Sequence, residues 1–348
     1  MRTKVFCIVV LCACLFIACE KDNDDYEPVK PPVEQPEKPV EPDKPATPPS
    51  TSDIINVKIG DIDMIVGTNN WNAIAYGNGK YAAVSGCYWG GKYEDAGYAT
   101  SSTDGKTWTT PRKLGLQDGA WNDIIFFKGK FIVVGQTGNI IGSIAISADG
   151  INWTIKNIGK ASTWKLIAKN GDESAMILGN GWYRAVTTDG ETWQNTASSG
   201  TNMVTGLNFT TGLWFALGNY GLVQWTKNLY SNNWEFYKAI GSGTWKNAFY
   251  VNESFLLIGS NYSNGSYIVD IAISADNGLN WKLSTGPTAK SGIKKAFYHN
   301  GKFVILFSDG TCSISANGKE WSEITQLIDT NNGTNVASIN NYCLIQNN

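Results

Sequence analysis

One histidine, three arginines and seven cysteines in 348 residues leave little material for most active-site chemistries. The lone histidine, His299, stands in the turn Tyr298-His299-Asn300-Gly301, where a solvated side chain is the plain reading. A single histidine excludes multi-histidine metal sites, and its place in a solvated turn argues against a Ser-His-Asp triad. Cys7, Cys12 and Cys14 fall in an N-terminal apolar run, Cys19 closes it, and only Cys87, Cys312 and Cys343 remain. An odd remainder argues against a disulfide framework. Two buried thiols at Cys312 and Cys343 are the favoured state, with a bridge between neighbouring repeats as the alternative. There is no zinc-type cysteine pair and no phosphate-cradling glycine loop. A net charge of −2 and a pI of 5.6 give no basic stripe for nucleic acid. The residues therefore call for no metal and no cofactor. Beyond the N-terminal run, no segment has a helical apolar period.

The N-terminus carries an address. Arg2 and Lys4 precede fourteen apolar or small residues, Val5 to Ala18, a run too short to span a bilayer comfortably. The ending Leu15-Phe-Ile-Ala18-Cys19 resembles a bacterial lipoprotein signal, which implies cleavage after residue 18 and acylation of Cys19. Phe16 departs from the usual aliphatic residue, and Leu11-Cys12-Ala13-Cys14 is a competing site. The acidic Glu20–Asp25 resembles the export signal of surface lipoproteins of the Bacteroidetes group, implying an outer-membrane protein anchored by lipid and facing outward. Nine of the eleven prolines lie between Pro28 and Pro49. Such a segment cannot bury enough apolar surface to fold, and at about 3.1 Å per residue it reads as a tether up to about 100 Å long. The division is 1–18 signal peptide, 19–53 tether and 54–348 a single domain.

What the domain has in abundance is a repeated turn. Ser102-x-Asp104-Gly105-x-x-Trp108 recurs at Ser147/Asp149/Trp153 and Thr187/Asp189/Trp193. A degenerate Thr226/Asn228/Trp234 follows, then Ser274/Asp276/Trp281 and Ser315/Asn317/Trp321. Successive tryptophans are 45, 40, 41, 47 and 40 residues apart, a propeller period. Each unit reads as four short antiparallel strands, such as Trp121–Phe127, Phe131–Gly135, Ser143–Ser147 and the stretch leaving Trp153, joined by turns such as Lys128-Gly129-Lys130. The expectation is an all-β, seven-bladed β-propeller, because residues 53–348 hold about seven such periods. Six blades with an accessory hairpin is the alternative. The seventh blade would be closed by the termini, with Asn335–Ile339 and Tyr342–Gln346 joined to Ile55–Ile59 and Asp63–Val66.

The turn resembles the Asp-box, or BNR repeat, of sialidase-superfamily propellers, and the resemblance runs from about Trp71 to Trp321. It implies that Asp104, Asp149, Asp189, Asn228, Asp276 and Asn317 are fold determinants away from the ligand face. It does not carry sialidase activity with it. That chemistry needs three arginines, and once Arg2 leaves with the signal only Arg112 and Arg184 remain. No catalytic residue is therefore assigned. A carboxylate-dependent glycoside hydrolase, drawing on Glu94, Asp95, Asp118, Asp270 or Asp309, is the alternative.

The leading expectation is a non-catalytic, monomeric binder of a polysaccharide, an oligosaccharide or a surface protein. Its ligand face would be built by the loops between second and third strands. These are Cys87-Tyr88-Trp89 to Tyr93-Glu94-Asp95, Gln136–Asn139, Asn180-Gly-Trp182-Tyr183, Asn219-Tyr220, Asn261-Tyr262 to Tyr267, and Ser308-Asp309. Tyr88, Trp89, Tyr93, Trp182, Tyr183, Tyr220 and Tyr262 are the loop candidates. Trp71, Trp121, Trp164 and Trp245 start the innermost strands, with Met203 and Ile293 read as their equivalents, and are expected to ring the channel mouth.

Overall fold

The computed structural model describes residues 57–60, 71–86, 97–104, 107–115, 119–137, 141–159, 163–196, 203–230, 234–299, 301–326 and 343–346. All of them belong to the unit Ala46–Asn348. The preceding unit, Met1–Pro45, lies outside the described residues, and with it Cys19, the leader and most of the tether.

Among the described residues, six antiparallel sheets of four strands follow one another along the chain. The first is β2 (Trp71–Gly77), β3 (Lys80–Ser85), β4 (Tyr98–Ser102) and β5 (Arg112–Lys113); the second is β6 (Gly119–Phe127), β7 (Lys130–Thr137), β8 (Ile141–Ser147) and β9 (Thr154–Asn157). The third is β10 (Trp164–Asn170), β11 (Ser174–Gly179), β12 (Arg184–Thr187) and β13 (Gln194–Thr196); the fourth is β14 (Val204–Thr210), β15 (Leu213–Gly218), β16 (Leu222–Thr226) and β17 (Phe236–Ala239). The fifth is β18 (Thr244–Val251), β19 (Ser254–Ser263), β20 (Ser266–Ser274) and β21 (Lys282–Ala289), and the sixth is β22 (Ile293–His299), β23 (Lys302–Phe307), β24 (Thr311–Ser315) and β25 (Thr325–Gln326). A further pair joins β1 (Val57–Gly60) to β26 (Cys343–Gln346), with Val57 opposite Gln346. The expected segments Asp63–Val66 and Asn335–Ile339 lie outside the described residues.

Strand position explains composition. Second strands such as Ser174–Gly179 and Leu213–Gly218 are buried along their whole length. They sit mid-sheet with a neighbouring sheet on each face, so both alternating sets of side chains must be apolar or small. The first strand of each sheet packs beside the first strand of the next, so β2, β6, β10, β14, β18 and β22 surround one axis. At the opposite end of these strands, turns such as Asn78-Gly79 (φ 49° and 71°) and Thr211-Gly212 (φ 45° and 79°) have both central residues in the left-handed region, as two-residue hairpins require. Beside five of the six turns an aromatic pair faces across the strands, as in Tyr76–Tyr81 at 4.6 Å and Phe126–Phe131 at 4.9 Å. The others are Phe209–Trp214, Tyr250–Phe255 and Tyr298–Phe303. Each pair contributes roughly 0.5–1.5 kcal/mol beyond its buried area.

The repeated Ser/Thr-Asp turn is a closed hydrogen-bond unit. In the second sheet, Ser147 Oγ donates to Asp149 Oδ1 at 2.9 Å, and the same oxygen accepts from the N–H groups of Ile151 and Asn152. Asn317 does likewise for the N–H groups of Lys319 and Glu320, so the motif needs an oxygen rather than a charge. The degenerate Asn228 still accepts from Tyr230 N–H. From the second sheet onward each turn then presses on the preceding sheet. Trp153, Trp193, Trp234, Trp281 and Trp321 pack against core clusters shared with that sheet. Glu191, next to Gly190, forms ion pairs with Lys130 and Lys156 of the second sheet. Arg184, fully buried and pushed down to about 10 by desolvation, lies 4.9 Å from the Trp234 ring.

These turns give stability a pH signature. N–H donors from Thr192 and Glu191 hold Asp189 well below the ordinary carboxylate range, and the Asn280 N–H holds Asp276 at about 2. At Asp149, burial opposes ionisation but is outweighed by the N–H groups of Asn152 and Ile151. A carboxylate depressed in the folded state stabilises above its unfolded value, about 3.9, and loses that contribution as pH falls toward the folded value. The urea midpoint is therefore expected to drop on acidification below about pH 4. Asp189→Asn together with Asp276→Asn should flatten that limb, since asparagine oxygens serve the same donors at Asn317. An unchanged acid limb in the double variant would remove these turns as its cause.

Candidate ligand-binding face

Turns between second and third strands emerge at the end of each sheet opposite the Ser/Thr-Asp turns. In the fourth and sixth sheets they are tied down by hydrogen bonds. Met203 N–H donates to Asn219 Oδ1 at 3.1 Å, Gly221 N–H to Gly243 O at 2.7 Å, and Gly310 N–H to Phe307 O at 3.1 Å. Asp309 N–H donates to Ser291 Oγ at 3.1 Å, and the Asp309 carboxylate accepts from Thr311. Between Asn219 and Gly221 sits Tyr220, with φ 56° and 70% exposure. A tyrosine in the left-handed region costs of order 1–3 kcal/mol and persists only where its surroundings enforce it. Its two neighbours supply that enforcement, and its ring is presented to solvent.

The fifth sheet adds height. Its β19–β20 ladder continues to Ser263 opposite Ser266, carrying Tyr262 opposite Tyr267 with rings 4.8 Å apart. Tyr262 is 62% exposed, while Tyr267 backs onto Gly292 at the entry to the sixth sheet. Lower on the same hairpin, Asp270 abuts Gly243, and burial raises its carboxyl above the ordinary range. A continuous rim thus runs from Tyr220 through Gly243 and Asp270 to Tyr262 and Asp309.

Several expected site residues lie elsewhere. Trp121, Trp164 and Trp245 have no exposure and belong to core clusters wedged between adjacent sheets, so they are not a ring at the channel mouth. The reason is a β-bulge just after each of them, which turns the indole sideways over a glycine of the second strand. A Cβ on Gly135 would lie 2.8 Å from the Trp121 ring, and one on Gly259 2.8 Å from the Trp245 ring. The same bulge follows Val204, so Val204 and not Met203 is the equivalent in the fourth sheet. Trp182 is also core: it shares the left-handed conformation of Tyr220 (φ 62°), but its ring is buried with Met176, Leu178 and Trp214. Tyr183 is half-buried against the cluster of the second and third sheets. Tyr88, Trp89, Tyr93, Glu94, Asp95, Asp118 and Cys87 lie outside the described residues, as does the side chain of Trp71. Cys312 is a buried free thiol, pushed up to about 11 by desolvation.

The residues at the bulges are the feature that sequence reading missed. They are Asn72, Asn122, Lys165, Thr205, Lys246 and Lys294, one per sheet at one level around the axis. The uncharged three stitch inner strands together: Asn72 Nδ2 donates to Trp121 O, Asn122 Nδ2 to Trp164 O and Thr205 Oγ1 to Trp245 O. One position further on, Asp123 accepts from Ile124 and Ile167 N–H. Burial raises this carboxyl to about 6 despite those donors and the nearby Lys295. Among the described residues no group of three or more His, Cys, Asp or Glu is placed to hold a metal. A groove of about 620 Å³ lies on the other side, between the fifth and sixth sheets. It is lined by Asp276, Trp281, Lys282 and Lys319, of which Asp276 and Trp281 already bond within their own turn.

Six radial four-stranded sheets around an axis, with a tethered turn face at one end, define a β-propeller. Solved structures of that fold are similar to it. One, described as YCF48 bound to D1 peptide, matches with TM-score 0.56 and 18% identity over 77% of this chain and 84% of that one. Another, described as a crystal structure of the mitotic checkpoint complex, matches with TM-score 0.51 and 12% identity over 78% and 83%. At such identities the likeness is one of fold. No family model matches the chain, and no curated protein does.

Proposed function

We propose that the protein is a non-catalytic binding propeller whose ligand, a segment of another protein, lies across the rim from Tyr220 to Tyr262. The observation that carries this reading is the contrast among aromatics. Those between sheets are buried, whereas Tyr220 and Tyr262 are exposed on a rim that the backbone holds rigid. Exposed tyrosines on a hydrogen-bonded backbone provide contact area at little entropic cost, since each has only two side-chain torsions to order. The peptide-bound neighbour of the same fold supports a peptide over other ligands. A glycan chain is the second reading, favoured by Asn261, Asn264 and the serines beside Tyr262.

The ring is read as seven-bladed and of the Asp-box type. Strand β26 lies against β2 as each second strand lies against the first strand of the following sheet, so β1 and β26 fit the third and second strands of a seventh blade. Acylated Cys19 and the proline-rich tether would display the propeller outside the outer membrane. The test is retention of peptide and polysaccharide arrays by cells carrying the full chain. Tyr220→Ala with Tyr262→Ala should cut retention at least tenfold, about 1.4 kcal/mol, with an unchanged melting temperature. Cys19→Ser should release the binding activity from the cell. Undiminished retention by the tyrosine variant would end the rim assignment.

A further inference from the structure

The chain as a whole carries a net charge of −2, yet among the described residues the six innermost strands hold five lysines against one aspartate. Lys169 sits near the hairpin end of β10, 3.9 Å from Asp172. The other four, Lys165, Lys246, Lys294 and Lys295, occupy the bulge and the position after it, at the same end as the tyrosine rim. Where this position is Asn or Thr, its side chain reaches the inner strand of the next sheet, so the bulge delivers side chains to the seams that surround the axis. Closed spacing of those seams is visible at Gly206, where a Cβ would lie 2.2 Å from Lys246 O.

We propose that the mouth of the central channel is an anion site that takes carboxylates of an acidic peptide. The inference rests on the binding reading above and specifies its charge chemistry. Lys165 and Lys246 make no hydrogen bond or ion pair among the described residues, and desolvation alone lowers both. Lys165 is exposed and Lys246 half-buried, so both ammonium groups keep access to solvent while the protein wall thins their hydration, and an arriving carboxylate supplies the counter-charge. Asp123, the one acidic group on these strands, is near Lys295 and is already engaged by two backbone N–H groups. Low-dielectric walls focus the field of the four lysines along the axis, which favours an acidic segment over a neutral one.

The test is trace acetylation of the intact protein at neutral pH, with each lysine quantified by peptide mapping. Poly-L-glutamate should slow labelling of Lys165 and Lys246 at least fivefold relative to the exposed Lys238, and salt should reverse the protection. Lys165→Met with Lys246→Met should abolish poly-L-glutamate retention while the urea midpoint stays the same or rises, which separates lost binding from lost folding. Tyr220→Ala with Tyr262→Ala should leave the protection intact, so a failed rim does not imitate a failed channel. Equal labelling with and without poly-L-glutamate would overturn the proposal. Protection by polygalacturonate but not by poly-L-glutamate would also overturn it, in favour of an acidic glycan.

Discussion

Trp245→Ala is expected to lower stability by about 3–5 kcal/mol, seen as a fall in the urea midpoint with little change in slope. The indole is fully buried, donates from Nε1 to Ile240 O at 2.9 Å, and fills the cluster containing Phe215, Val223 and Leu257. Its removal leaves a cavity between the fourth and fifth sheets that neither can collapse into, because both are held by their inner-strand bonds, including Thr205 to Trp245 O. Tyr220→Ala, by contrast, removes a ring with 70% exposure and should change stability by no more than about 0.5 kcal/mol. A Trp245 variant of near-native stability that had lost ligand would reverse the roles given to these two residues.

The second large effect belongs to a glycine. Gly278→Ala is expected to cost about 2–5 kcal/mol, from two separable sources. Its φ of 85° disfavours any Cβ, and an added Cβ would lie 2.9 Å from the Trp225 ring of the preceding sheet. Gly265 provides the control, since its φ is 80° with no atom within 4 Å of the added carbon. Gly265→Ala should therefore show the conformational part alone, about 1–2 kcal/mol. The difference between the two variants measures the pressure of a turn on its neighbouring sheet. Equal costs would mean that the turn exerts none.

The sheets were legible because their determinants are local. A Ser/Thr-Asp turn closes on itself within a few residues, and the tryptophan that follows marks the period whatever surrounds it. Exposure is a different kind of property. Trp182 and Tyr220 hold the same left-handed turn conformation, and only the space left by Met176, Trp214 and Leu222 decides that the first ring turns inward. The bulges have no sequence signature either, since an extra residue is defined against a partner strand. That is why Met203 reads as the equivalent of Trp121 although Val204 holds the position, and why the indoles point between sheets instead of into the channel. The lysines that follow Trp164 and Trp245 were in plain view, but without the bulge nothing brings them to one level around an axis.

Val57 and its partner Gln346 are 289 residues apart, and among the described residues β1 pairs with β26 alone. During synthesis the early strand therefore waits, unpaired, until nearly everything between the two has emerged. Such a long wait slows closure and leaves an open edge in the meantime. It also makes closure a report on completeness: a chain halted before residue 343 has folded sheets but no clasp.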